Sequence, residues 1–83
     1  PKLIKEINDA LHKNDLESVW KAAHKLKGTC LNIGAIKLSA LCKEMESKGR
    51  AKDSTGLKGI ALQMEIEFKI AVKNLGEVFL ANL

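Results

Sequence analysis

The residues best suited to chemistry lie together in one short segment, His24-Lys25-Leu26-Lys27-Gly28. A neutral imidazole is a competent nucleophile at phosphorus, because the ordinary pKa of a histidine side chain, about 6.5, leaves most of it uncharged near pH 7. A cation one helical turn away would stabilise the oxygens of a phosphoryl group during its transfer. Lys27 supplies such a cation, so phosphoryl transfer through His24 is one hypothesis that the residues themselves support.

The position of His24 on its helix is consistent with that hypothesis. At about 100° per residue, His24 lies some 120° from the centre of the apolar stripe, on the flank that also carries Lys21 and Gly28. A glycine inside a helix costs roughly 1 kcal/mol relative to alanine. Gly28 therefore suggests a place beside His24 that is kept open for another molecule. A solvent-exposed histidine on a basic helix would give the same pattern, and the residue positions alone leave both interpretations open.

Other chemistry has weaker support. Cys30 and Cys42 lie twelve residues apart with no CxxC pair, which argues against zinc and favours two small buried side chains. His12 falls at the end of its helix, where a histidine complements the helix dipole. Glu46 and Arg50 are one turn apart, and we expect them to form an exposed ion pair. No phosphate-binding glycine loop follows a strand, so a nucleotide site is not indicated.

These residues must be positioned by helices, because helical periodicity runs through the whole chain and strand patterns are missing. We expect four helices, at about residues 2–12, 15–31, 35–48 and 55–79. Asp15 is the expected N-cap of the second helix, Gly34 is its expected left-handed C-cap, and Gly49 is expected to end the third helix. The sequence therefore predicts an all-α fold, an antiparallel up-down four-helix bundle.

The fourth helix carries apolar residues on two sides. One stripe should enter the core, and it consists of Leu57, Ile60, Ala61, Met64, Phe68, Ala71, Leu75 and Phe79. Leu62, Ile66 and Ile70 repeat at four-residue steps on nearly the opposite side. Leaving a large aliphatic side chain in water forfeits roughly 1.5–3 kcal/mol relative to burial. We expect a further N-terminal helix of the parent protein or a second copy of the chain to cover this stripe, unless a shift of the helix buries it internally.

Length and charge limit the possible functions. The chain has 83 residues, with 14 Lys/Arg, 10 Asp/Glu and a net charge of +4. One small domain of this size has no room for a deep substrate cavity. The basic residues are dispersed and aromatic residues are few, which argues against nucleic acid as a partner. The alternative function is a helical interaction module, either a basic nucleic-acid binder or a docking bundle. No apolar run approaches the roughly 18 residues of a membrane span.

Several consecutive segments resemble one known family. They are Ala23-His24-Lys25-Leu26-Lys27-Gly28, then Asn32-Ile33-Gly34-Ala35, then Leu38-Ser39-Ala40-Leu41-Cys42-Lys43-Glu44-Met45-Glu46, and finally Gly49-Arg50. In this order and spacing they are similar to histidine-containing phosphotransfer (Hpt) domains, the intermediates of multistep two-component phosphorelays. The motif covers about residues 15–50, and the remaining segments fit the helix pattern of that family.

The resemblance implies a role for each residue of the motif. His24 would accept a phosphoryl group from the aspartyl phosphate of a receiver domain and pass it to the aspartate of another receiver. Lys27 would stabilise the phosphoryl group, and Gly28 would give the receiver access. Further candidate binding residues are Lys21, Lys25, Glu46 and Arg50. Glu46 stands where the family often has glutamine, so a carboxylate there would oppose an incoming phosphoryl group, although it could hold Arg50 or polarise the His24 ring.

The resemblance also implies what the chain lacks. We expect no cofactor and no kinase activity, because Mg²⁺ and the catalytic aspartates would belong to the receiver. A cytoplasmic location is expected, either as a separate protein or as the cytoplasmic end of a membrane-bound sensor kinase. The family usually has one more helix before the first helix found here, so we expect the chain to be part of a longer protein.

Overall fold

The computed structural model of the chain describes residues 2–75. They form four α-helices, namely α1 (Lys2–His12), α2 (Leu16–Ile33), α3 (Ile36–Arg50) and α4 (Leu57–Leu75). The predicted all-α class is therefore confirmed. The expected continuation of the fourth helix to residue 79 and the expected core position of Phe79 lie outside the described residues, as does the side chain of Leu75.

The helices pack side by side as a bundle. α1 lies next to α2 and α4, and α3 lies next to the same two helices, whereas the backbones of the diagonal pairs do not approach closely within residues 2–75. Helices joined by short loops run antiparallel and become neighbours in space, which is the predicted up-down arrangement. The most extensive contact is between α2 and α3. This pair therefore sets the relative positions of the motif residues on the two helices.

The core is formed by the predicted apolar stripes. All four helices contribute its most deeply buried side chains, which are Ile7, Val19, Leu26, Cys30, Leu38, Cys42, Met45, Leu57 and Met64. Each large aliphatic side chain among them stabilises the fold by roughly 1.5–3 kcal/mol through burial. Both cysteines are free thiols in the interior, as predicted. Apolar packing thus holds the bundle together, and most of the polar residues lie on its surface.

Both predicted caps of α2 are confirmed. The Asp15 carboxylate accepts a hydrogen bond from the backbone N–H of Ser18 at 3.2 Å. Gly34 has a left-handed φ of 78°, and its backbone N–H donates to the carbonyl oxygens of Cys30 and Leu31. α2 nevertheless extends past residue 31, because Asn32 and Ile33 stay helical up to the glycine that terminates the helix. The expected end of the second helix near residue 31 is therefore wrong, although its capping glycine is correctly predicted.

Gly49 does not end α3, contrary to the expectation from the sequence. The helix continues to Arg50, and Gly49 is buried against α2. A Cβ atom at Gly49 would lie 2.7 Å from the Cβ of Trp20 and 3.3 Å from the carbonyl oxygen of Leu16. The absence of a side chain therefore allows α2 and α3 to approach closely, which is a packing requirement that helix-end signals do not reveal.

We expect Gly49→Ala to lower the free energy of unfolding by about 1–3 kcal/mol, because the added methyl group forces the two helix backbones apart. This loss should outweigh the better helix propensity of alanine. Gly59→Ala is a matched control, because a Cβ atom at Gly59 meets nothing within 4 Å, and it should raise stability by up to about 1 kcal/mol. Urea unfolding measures both variants, and equal changes would contradict the close-approach role of Gly49.

The second apolar stripe of α4 is exposed. Leu62, Ile66 and Ile70 retain 62%, 49% and 45% of their accessible surface. The alternative in which a shift of α4 buries this stripe internally is therefore wrong. Coverage by a further N-terminal helix or by a second copy stays a prediction. Even with two apolar stripes on α4, no helix in the described part of the chain is long and apolar enough to cross a membrane.

Candidate functional site

His24 lies on the surface of α2 beside α3. The preceding residue, Ala23, is fully buried, and one helical step of about 100° carries His24 out of the core. The His24 side chain keeps 56% of its surface exposed. Its Nδ1 atom lies 3.2 Å from the Oε2 atom of Glu46 on α3. The imidazole is therefore held at one nitrogen while most of the ring stays accessible.

Glu46 is buried, which contradicts the expectation of an exposed ion pair with Arg50. The Glu46 side chain keeps only 10% of its surface, against 55% for Arg50. Glu46 faces α2 because it follows the core residue Met45 and lies one turn after the core residue Cys42. The pair with Arg50 does form, at 3.2 Å between Nη2 and Oε2. It belongs to a larger network, since the Lys27 ammonium donates to Glu46 Oε1 at 2.8 Å.

The network has an excess of positive charge. Lys27 and Arg50 supply two positive charges and Glu46 one negative charge, so the three side chains sum to +1. The cations are within hydrogen-bond distance of the carboxylate, and they compensate its charge at short range. The site as a whole therefore does not repel an anionic group, even though it contains a carboxylate. This offsets the repulsion that a glutamate at this position would otherwise exert on a phosphoryl group.

The same contacts favour one tautomer of the neutral His24 ring. The hydrogen bond from Lys27 is the main cause that holds the pKa of Glu46 below its ordinary value of 4.5, and the hydrogen bond with His24 adds to it against the opposing effect of desolvation. Glu46 is thus ionised at neutral pH, and an ionised carboxylate can only accept hydrogen bonds. In a hydrogen bond between this carboxylate and the neutral His24 ring, Nδ1–H is therefore the donor, which leaves the lone pair on Nε2. Within residues 2–75 no hydrogen bond occupies Nε2.

We expect Lys27→Met to raise the pKa of Glu46 toward its ordinary value, because the largest cause of its lowering is removed. A lowered pKa in the folded state stabilises the protein above the ordinary pKa of 4.5, and that stabilisation disappears as the pH falls through the folded value. The variant should therefore be less stable than the wild type above about pH 5, and the difference should shrink in more acidic solution.

NMR titration of the carboxyl carbons measures the pKa of Glu46, and urea unfolding at several pH values measures the stability difference. Asp15 is an internal control in the same titration, because hydrogen bonds from Ser18 are the main cause of its lowered pKa. Its titration should not change in Lys27→Met. An unchanged pKa of Glu46 in the variant would show that Lys27 is not its principal partner.

Lys21 and Lys25 do not join this network. Lys21 forms an ion pair with Glu17 at 3.0 Å. Together with Lys25 it lines a groove between α1 and α2 that also includes Asp9 and Asp15. Of the residues singled out in the sequence, the structure thus brings His24, Lys27, Glu46 and Arg50 together and leaves these two lysines on the neighbouring surface.

Gly28 leaves open space on the face that carries His24. It lies one turn after His24 in α2, so the two residues share a face. A Cβ atom at Gly28 would meet nothing within 4 Å. The roughly 1 kcal/mol that a glycine costs in a helix is therefore not offset by closer packing within the described residues. This is the expected property of a position that is kept small for an external molecule.

Trp20 belongs to the site, although it was not among the candidate site residues found in the sequence. The guanidinium carbon of Arg50 lies 4.4 Å from the centre of the Trp20 ring, which is a cation–π contact. Trp20 is only half-buried, and it lies one turn before His24. Its spacing from His24 was the available signal, because residues one turn apart share a helix face.

A comparison with models of known protein families matches residues 1–75 to the Hpt domain. Searches of curated proteins and of solved structures found no match. The matched range contains His24 and every residue that surrounds it in the network.

Proposed function

This chain belongs to the Hpt-domain family, and from that premise we propose that it carries a phosphoryl group on His24 between two receiver domains. Hpt domains act in two-component phosphorelays, in which they exchange phosphoryl groups with receivers. The donor in this proposal is the aspartyl phosphate of one receiver, and the acceptor is the aspartate of a second. The proposal is supported above all by the fixed imidazole, with Nδ1 bound to an ionised carboxylate and Nε2 available.

The transfer step follows from this arrangement. The Nε2 lone pair attacks phosphorus, a P–N bond forms, the P–O bond to the receiver carboxylate breaks, and the carboxylate leaves with the bonding electrons. No proton has to move, because Nδ1 keeps its proton. The positive charge that develops on the ring lies next to the Glu46 carboxylate, 3.2 Å from Nδ1, which stabilises it. Attack by the second receiver's aspartate reverses the same bond changes.

Lys27 is the cation best placed to meet the phosphoryl oxygens. It lies almost one turn after His24, and a quarter of its side chain is exposed. Its ammonium group has three N–H donors, of which Glu46 uses one. The remaining donors can form charge-assisted hydrogen bonds with phosphoryl oxygens, and these are stronger than bonds between neutral groups. Lys27 should therefore lower the barrier to transfer and prolong the life of the phosphohistidine.

The chain needs no cofactor of its own in this proposal. Mg²⁺ binds carboxylate and phosphate oxygens, and it would be held by the receiver together with its phosphorylated aspartate. In this proposal the chain acts as a phosphocarrier without kinase activity. It acts in the cytoplasm, because that is where its receiver partners would be.

Phosphoryl transfer from a phosphorylated receiver to the purified chain tests the proposal. We expect a label that is lost in acid and survives base, as a phosphohistidine does, and that mass spectrometry locates at His24. Phosphoramidate, a small phosphoryl donor, tests the reactivity of the imidazole without a protein partner. Label at an acid-stable position, or receivers that bind the chain without labelling it, would contradict the proposal and favour a docking module.

A further inference from the structure

We propose that Trp20 is a positioning residue for phosphoryl acceptance, which acts through Arg50 and Glu46 on the His24 ring. The proposal rests on the proposed function of His24 and extends it to a side chain that touches none of the reacting atoms. It assigns to the indole a role beyond filling space between α2 and α3.

The first step of the argument is the position of Arg50 between two partners. Its guanidinium carbon is 4.4 Å from the centre of the Trp20 ring, and its Nη2 atom is 3.2 Å from Glu46 Oε2. More than half of the Arg50 side chain is exposed. A long exposed side chain loses considerable conformational entropy when it is held in one geometry. The indole face offsets part of that loss, and it favours the rotamers of Arg50 that reach Glu46.

The second step is the oxygen that Arg50 shares with the imidazole. Glu46 Oε2 pairs with Arg50 and also accepts the hydrogen bond from His24 Nδ1. Lys27 binds the other oxygen, Oε1. When Arg50 is released, Lys27 is the remaining cationic partner of the carboxylate, and the carboxylate can rotate about its last bond. The contact with Nδ1 then weakens, and a smaller fraction of His24 keeps the tautomer with a free Nε2.

The third step is the rigidity of Trp20 itself. Its Cβ atom lies against Gly49 so closely that a Cβ atom there would be 2.7 Å away. Lys21 lies on the same ring, with its ammonium 5.9 Å from the centre, and is itself paired with Glu17. The Cβ atom of Trp20 is therefore held at the contact between the two helices, and its ring carries a cation from each of them. Tryptophan is also the aromatic side chain that binds a guanidinium most strongly.

Trp20→Leu and Trp20→Phe separate the aromatic face from simple packing. Leucine keeps an apolar side chain but removes the aromatic π face, whereas phenylalanine keeps a smaller π face. An exposed cation–π contact of ordinary strength corresponds to roughly a two- to fivefold change in rate. We expect acceptance from a phosphorylated receiver to slow by about that factor in Trp20→Leu and to recover most of its rate in Trp20→Phe. Equal rates in the two variants would overturn the proposal.

A double-mutant cycle tests the route through Arg50. In an Arg50→Gln background, Trp20→Leu should cause little further slowing, because the side chain through which the indole acts is already gone. A full additional loss in that background would overturn the proposal. Urea unfolding of each variant accompanies the rates, and Trp20→Phe keeps the comparison possible if Trp20→Leu is poorly folded.

The ¹⁵N NMR signals of the His24 ring distinguish a failure of this inference from a failure of the proposed function. The unphosphorylated wild type should show the tautomer protonated at Nδ1, and Trp20→Leu should show a mixture of tautomers. An unchanged tautomer in Trp20→Leu overturns the inference, even where His24 is phosphorylated normally. A wild-type chain that no phosphorylated receiver labels overturns the proposed function instead.

Discussion

His24→Gln should abolish phosphoryl acceptance and leave the fold intact. The glutamine amide can still hydrogen-bond with Glu46, but it has no nucleophilic nitrogen to attack phosphorus. Because the His24 side chain is 56% exposed, the free energy of unfolding should change by no more than about 0.5 kcal/mol. Labelling by a phosphorylated receiver and by phosphoramidate measures the first effect, and urea unfolding measures the second.

The sequence offers a matched control for this variant, because it contains just two histidines. His12 lies at the end of α1, where it lines a groove with α4, whereas the network around Glu46 is formed by α2 and α3. His12→Gln should therefore retain wild-type labelling. A labelled His24→Gln chain, or a loss of labelling in His12→Gln, would show that the phosphoryl group is carried elsewhere.

The helices could be predicted from the sequence because their determinants are local. α1 begins and ends where the apolar pattern places it. Asp15 and Gly34 cap α2 as expected, since a side-chain acceptor and a left-handed glycine act on the nearest backbone groups. The motif residues His24 and Lys27 were also found locally, because both belong to one turn of a single helix.

The burial of Glu46 could not be predicted in the same way. Its position at the edge of the apolar stripe of α3 is compatible with exposure to solvent and with burial against α2. Which of the two occurs depends on how α3 is rotated against α2. A buried carboxylate is costly unless it is paired. Lys27 from the other helix provides that compensation, at 2.8 Å. Both residues are visible in the sequence, but no local pattern predicts that they form an ion pair between the two helices.

The prediction that Gly49 ends α3 was wrong for a related reason. Glycine near the end of an apolar pattern usually marks a helix terminus, and here it marks a contact between two helix backbones. That contact brings Trp20 of α2 and Arg50 of α3 to the same place. The candidate site is therefore a property of the packed helix pair. Gly49→Ala should consequently disturb the Arg50 position as well as stability, because the neighbouring residue carries the guanidinium.

The open space at Gly28 leads to the second large effect. Gly28→Gln should block transfer with receivers while sparing phosphorylation by phosphoramidate. The new side chain would project beside His24, where a Cβ atom meets nothing within 4 Å, so the fold should accept it and gain helix propensity of up to about 1 kcal/mol. A receiver must bring its aspartyl phosphate to the His24 ring and would meet this side chain, whereas a small donor would pass it. We expect receiver transfer to slow by roughly tenfold or more, which is about 1.4 kcal/mol in the barrier.

Gly59→Gln makes the same replacement on α4, where a Cβ atom also meets nothing within 4 Å. Both variants should therefore gain stability in urea unfolding, but only Gly28→Gln should lose receiver transfer. Gly28→Ala adds a single methyl group, so its rate should fall between those of the wild type and Gly28→Gln. If Gly28→Gln exchanged phosphoryl groups with receivers at the wild-type rate, the glycine would not serve access. If it also lost phosphorylation by phosphoramidate, the glycine would act on the imidazole itself, because a small donor needs no room for a receiver.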